Sequence, residues 1–207
     1  MNFDEVLMIG GMRMKVIPGT NLSMPDDKRW EAFSVLEPVF ALSGGGLLLS
    51  QVTEMTGLSP STIQNWVKRG WVENPVNKRY DEHRVARILI IHLLRPTMQL
   101  EKIVCLMTYI NGRVDDRSDD IIPDPDLIDM LCGAILVLSD DDSFSAAGIR
   151  QLVEQTVSGY VEPFPGARPR LMKAITLMLM NVAAAELMQR AGQMYDELIS
   201  TKGEENS

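Results

Sequence analysis

Apolar residues recur at helical spacing through most of the chain. Trp30, Phe33, Leu36 and Phe40 predict a helix from Pro25 that breaks or ends near Pro38 and is closed by Gly44-Gly45-Gly46. Two short helices follow. Ser50 is placed to cap Gln51 to Thr56, with Val52 and Met55 inward and Gly57 as the stop. Ser59-Pro60 puts a cap and a first-turn proline before a helix from Ser61 to Arg69, which Gly70 ends. Trp71-Val72 and Lys78-Arg79-Tyr80 then flank Glu73-Asn74-Pro75-Val76-Asn77, the pattern of a short proline-containing wing or hairpin. Asp81 caps a helix over 82–94 whose apolar run Ile88 to Ile91 predicts burial on several sides, and Pro96 breaks it. Leu100, Ile103, Val104 and Met107 give one more amphipathic helix, ending at Asn111-Gly112.

The pattern changes at residues 113–125, RVDDRSDDIIPDP, which read as an acidic linker. Three helices are expected beyond it, over about 126–138, 145–160 and 168–200. Residues 1–24, with Gly10, Gly11, Pro18 and Gly19, lack a sustained period and read as a loosely packed arm with a short strand. The chain thus divides into an arm (1–24), a first domain (25–112), the linker (113–125), a helical domain (126–200) and a frayed polar tail (201–207). The expected fold class is all-α with a small β-wing: a winged helix-turn-helix followed by a C-terminal helical domain.

Composition adds limits. The 207 residues are 45% hydrophobic and 23% charged, an ordinary globular balance. Asp4 and Glu5 stand where a secretory signal needs positive charge, and the apolar run Ala174 to Ala185 is short for a bilayer and contains Asn181. A cytoplasmic protein with no membrane partner is therefore expected. Cys105 and Cys132 lie in apolar helical patterns and are expected to be buried free thiols. The net charge of −8 is unevenly spread: residues 47–95 carry seven Lys/Arg against four acids, and residues 113–207 carry eight against seventeen. A locally basic segment in an acidic chain is compatible with a polyanion partner of modest affinity.

The helix over 61–69 is where that charge meets chemistry. Ile63, Trp66 and Val67 would hold it down, leaving Ser61, Thr62, Gln64, Asn65, Lys68 and Arg69 uncommitted. In a winged helix-turn-helix the second helix can lie in the major groove, where Ser, Thr, Gln and Asn read base edges and Lys or Arg neutralise phosphate.

Three stretches, 63-IQNWVKRGWV-72, 78-KRYDEHRVARILII-91 and 100-LEKIVCLM-107, resemble the DNA-binding half of MerR-type regulators. They are more similar still to an uncharacterised bacterial family of MerR-like helix-turn-helix proteins, domain of unknown function family 1836. The resemblance covers about residues 26–112. It implies a MerR-like winged-helix fold and transcriptional regulation, with groove contact by Ser61, Thr62, Gln64, Asn65 and Lys68 and wing contact by Lys78, Arg79 and Tyr80. Typical MerR regulators carry Arg and Tyr where this chain has Gln64 and Asn65, and their wing has more Gly and Arg; fewer cations imply weaker or differently specified DNA binding. The second half does not present the long dimerising coiled coil, followed by a metal- or drug-binding region, of the better-known members.

Catalytic signals are sparse. His83 reads as exposed at a helix start, and His92 as a satisfied histidine on an apolar helix. Asp115, Asp116, Asp119, Asp120, Asp124 and Asp126, like Asp140-Asp141-Asp142, lack the glycine and terminal Glu of a calcium loop and read as solvated linker and helix caps. No enzyme activity, metal or cofactor is expected. The last helix is apolar nearly all round from Ala174 to Met188, which demands burial inside the domain or between subunits. The expectation is a sequence-specific DNA-binding regulator, homodimeric through residues 126–200, whose C-terminal domain takes a small-molecule or protein effector. The alternative is a helical protein-interaction module that has lost DNA binding.

Overall fold

The computed structural model describes the backbone of residues 7–9, 12–114, 118–141 and 145–204. The protein is mostly helical with small β elements. Strands β1 (Leu7–Ile9), β2 (Met12–Val16) and β3 (Ser23–Pro25) form one antiparallel sheet in that order. The expected loose arm is thus a sheet edge sealed to the core. Ile17 and Met24 are fully buried, and Gly19, at φ +81°, lies against Leu89 and Leu93. Any side chain at Gly19 would have to adopt a left-handed backbone and press on Leu93.

Residues after β3 make two 3-10 turns, at 26–31 and 34–36, and then helix α1 (Glu37–Leu42). The single helix expected from Pro25 is therefore broken, although Phe33, Leu36 and Phe40 are buried as their spacing requires. Pro38, expected to stop a helix, sits in the first turn of α1, where a missing N–H leaves nothing unpaired.

Strand β4 (Leu47–Leu48) runs into helix α2 (Leu49–Thr56). Leu48, rather than Ser50, takes the cap position, and Gln51 Oε1 accepts the Leu48 N–H at 2.8 Å. Gly57, at φ +69°, ends α2 in a left-handed cap. Helix α3 (Pro60–Lys68) starts at Ser59, whose Oγ accepts the Thr62 N–H, and closes with Gly70 at φ +72°. The expected hairpin forms differently. Strand β5 (Arg79–Tyr80) pairs with Leu47–Leu48, not with Trp71-Val72, and Asn77-Lys78 form the tight turn before it.

Helix α4 (Glu82–Leu94) is the centre of the protein: Asp81 caps it, and Ile88 to Leu94 are buried save His92, which is partly so. Helix α5 (Leu100–Asn111) turns Ile103, Leu106, Met107 and Ile110 inward and leaves Cys105 exposed. The helical period, not the apolar neighbourhood, decides that exposure, so only Cys132 is the buried free thiol expected of both. Helices α6 (Asp124–Asp141), α7 (Ala146–Thr156) and α8 (Ala167–Glu204) complete the chain. Leu127, Leu131, Ala134, Ile135 and Leu138 of α6 face the core, as their spacing predicts.

The stretch read as an acidic linker does not hang free over its second half. Ile121 and Ile122 are buried, and Asp124 is locked beneath α4 by Arg87. One apolar core therefore runs from Ile17 to Ala183 across both expected domains. Residues 115–117, 142–144 and 205–207, which held part of the expected linker, acidic triplet and tail, lie outside the described residues. By length and composition α8 is the one helix among the described residues that could cross a membrane. Its Ala174, Ile175, Met178, Leu179, Val182 and Ala183 are, however, buried within the protein.

Candidate nucleic-acid interface

Helix α3 is held by a narrow apolar strip. Ile63 is fully buried and Trp66 is 3% exposed, with Val67 packed at their flank. Ser61, Gln64, Asn65 and Lys68 are all exposed, at positions i, i+3, i+4 and i+7, which is one continuous helix face. Thr62 is only half available. Its hydroxyl lies 2.8 Å from Ser59 Oγ, and Ser61 Oγ lies 3.0 Å from the same oxygen. These two hydroxyls finish the helix cap as well as facing outward.

The hairpin tip is a two-residue turn. Val76 and Arg79 exchange both backbone hydrogen bonds, at 3.0 and 2.8 Å, across Asn77 and Lys78. Asn77 and Lys78 both adopt positive φ, +51° and +63°, the pair of conformations that a two-residue type I′ turn demands. Asparagine tolerates that region through its short polar side chain; lysine does not, so Lys78 sits there at a cost. Both tip side chains are exposed. Asn77 was missed in the sequence, where only its place before a basic pair could have marked it.

Most of the other cations expected on one basic face are committed elsewhere. Arg79 Nη1 donates to the Gly46 carbonyl at 3.0 Å, tying the hairpin to the loop before β4. Tyr80 is buried at 3% exposure opposite Leu47, and burial raises its phenol pKa; it supports the wing rather than touching a ligand. Arg84 is clamped by Asp81, by Glu73 at 2.6 Å and by the Asn74 carbonyl at 2.8 Å. Arg87 is buried against Asp124. Arg69 stays largely exposed, with its guanidinium 5.0 Å above the Trp71 ring and 3.9 Å from Glu101. The seven-base segment therefore offers a smaller cationic surface than its sequence count, because folding uses Arg79, Arg84 and Arg87 as struts.

A second feature lies between the end of α4 and α8. His92, Leu93, Arg95, Pro96, Val182, Ala185, Glu186 and Gln189 line a cavity of about 370 Å³. His92 Nδ1 and Glu186 Oε2 are buried there without a hydrogen-bond partner. His92 is thus not the satisfied core histidine its sequence context suggested. Burial, helped by the Arg95 charge, lowers its pKa to about 4, so the ring is neutral near pH 7. Glu186 Oε1 accepts from Arg190 Nε at 2.9 Å, which holds the carboxylate in place. Among the described residues, no group of three His, Cys, Asp or Glu side chains assembles as a metal site.

Between β4 and α4 the chain thus runs helix, left-handed glycine, helix, tight hairpin and buried helix. Residues 38–124 match the protein family described as Domain of unknown function (DUF1836). The match starts in α1, contains this whole unit and ends at Asp124, the partner of Arg87. The chain is also similar to the uncharacterized protein YkrK of Bacillus subtilis (strain 168), with 28% identity over 114 residues. That alignment covers 52% of this chain and 48% of the relative, so the chain spans about half the length of the curated relative it matches. No solved structure matches.

Proposed function

We propose that the protein binds double-stranded DNA as a cytoplasmic transcriptional regulator, with β4 to α4 acting as a MerR-like winged helix-turn-helix. The observation that carries this reading is the exposed face Ser61, Gln64, Asn65 and Lys68 on a helix pinned from behind by Ile63 and Trp66. A short helix clamped on one side and presenting exposed amide, hydroxyl and ammonium groups on the other suits a major groove. In this reading Gln64 and Asn65 address adenine edges, Ser61 and Thr62 lie near the backbone at the helix start, and Lys68, Arg69 and Lys78 meet phosphates. Arg79 and Tyr80 keep the wing in place. The cavity between α4 and α8 is the place assigned to a small-molecule effector, because it ends the same helix whose Arg84 braces the base of the wing. No catalytic step or cofactor is assigned.

The test is selection of bound duplexes from a random library, followed by salt titration of the selected sequence. Asn65→Ala should lose about 1–3 kcal/mol on that sequence and little on others. Lys78→Ala should weaken all duplexes alike and reduce the salt slope by about one unit. If neither variant changes binding or preference, DNA is not the ligand of this face and a helical protein-interaction module becomes the better account.

A further inference from the structure

The inner half of α8 is spent on the protein's own core, but the helix carries a second apolar stripe that none of the described residues covers. Leu177, Met180, Ala184, Leu187, Ala191, Met194 and Leu198 are all exposed and are spaced alternately by three and four residues. Leu187 is 49%, Met194 69% and Leu198 57% exposed. Every residue from 191 to 200 is exposed, so the last turns project beyond the body. A stripe that repeats every seven residues on a long helix is the seam of a two-stranded coiled coil. Leaving it in water across three repeats is costly.

We infer that α8 pairs with α8 of a second copy of this chain, in antiparallel orientation. Residue size and charge both select that arrangement. Within the stripe, small residues (Ala184, Ala191) alternate with large ones (Met180, Leu187, Met194). Parallel helices would stack alanine on alanine and leave a void in every second layer. Antiparallel helices avoid that stacking and can set Ala191 against a large residue. With Ala191 beside the partner's Met194, Leu187 meets the partner's Leu198. The same register puts Arg190 beside the partner's Glu197 on one flank, twice by symmetry, and Met188 beside the partner's Tyr195 on the other. Sliding by one heptad instead places Arg190 against the partner's Arg190. Both registers keep alanine off alanine, and charge selects between them. Arg190 already holds Glu186 at 2.9 Å, so the contact would extend an existing pair rather than recruit a loose side chain. The inference is independent of DNA contact: it concerns a surface that α3 does not share.

The experiment uses the full chain with Cys105→Ser, since that thiol is exposed and would cross-link by itself. In this background Ala191→Cys and Met194→Cys proteins are prepared separately and mixed under mild oxidation. A disulfide-linked heterodimer, with little cross-linking of either protein alone, is the expected result. Equal cross-linking of each protein with itself would mean parallel helices and overturn the proposal. Light scattering of the wild-type chain should give a dimer at micromolar concentration, and Leu187→Glu should raise the dissociation constant by about 30-fold or more while leaving helix content unchanged. A wild-type monomer, or a monomer that sediments with phosphatidylcholine–phosphatidylglycerol vesicles, would also overturn it, the latter by giving the stripe to a lipid surface.

Discussion

Arg87 and Asp124 face each other across the acidic connection, with Arg87 Nε 2.7 Å and Nη2 3.3 Å from the two carboxylate oxygens of Asp124. Both residues are buried at 7% exposure. Asn111 joins them, donating through Nδ2 to Asp124 at 3.1 Å and to the Ile122 carbonyl at 2.7 Å. The ends of α5 and α6 and the middle of α4 are therefore fixed through one carboxylate. Taking two charges from water is expensive, and only this geometry repays it.

Asp124→Ala should destabilise the protein by about 3–5 kcal/mol, because Arg87 would be left buried and unpaired. The double change Arg87→Met with Asp124→Leu should cost clearly less than the single one. Urea unfolding of the three proteins checks this; a loss of less than about 1 kcal/mol for the single change would mean that water replaces the carboxylate.

Lys78 offers a separation of stability from binding. Its φ of +63° suits glycine, so Lys78→Gly should leave the fold unchanged or stabilise it by up to about 1 kcal/mol. Under the DNA reading, the same variant should bind more weakly and with a salt slope about one unit shallower. Thermal melts beside fluorescence titrations would reveal whether the two effects part in this way.

Gly46 has no room for a side chain. A Cβ there would stand 2.8 Å from the Tyr80 carbonyl oxygen, which is backbone and cannot swing away. Gly46→Ala should force β4 and β5 apart and cost about 1–3 kcal/mol. It should also expose Tyr80, visible as a change in tyrosine fluorescence and near-ultraviolet dichroism.

His92 makes stability depend on pH. Its folded pKa of about 4 lies below the ordinary 6.5, so between those values the unfolded chain binds the proton that the folded one refuses. This contribution is fully present above about pH 6.5, falls as the pH drops, and levels off below about pH 4. His92→Gln should flatten that part of the profile in urea midpoints measured across the window. An unchanged slope would mean that the ring is protonated in the folded protein.

Elements whose information is local could be read from residue order alone. Ser59-Pro60 and Gly70 bound α3, Asp81 starts α4, Gly57 closes α2, and the apolar period assigns Ile63 and Trp66 to the core. Because residues three and four apart must share a helix face, the polar stripe Ser61, Gln64, Asn65 and Lys68 was legible as well. Features that depend on partners far along the chain came from packing instead. Arg79-Tyr80 pairs with Leu47-Leu48 across 33 residues, and Arg87 meets Asp124 across 37. Local pattern counts Arg79, Arg84 and Arg87 as surface charge, whereas packing turns them into internal ties. In α8, likewise, composition reads as apolar on every side; which stripe enters the core and which stays outside was settled by α4, α5, α6 and α7 packing against one face and leaving the other in water.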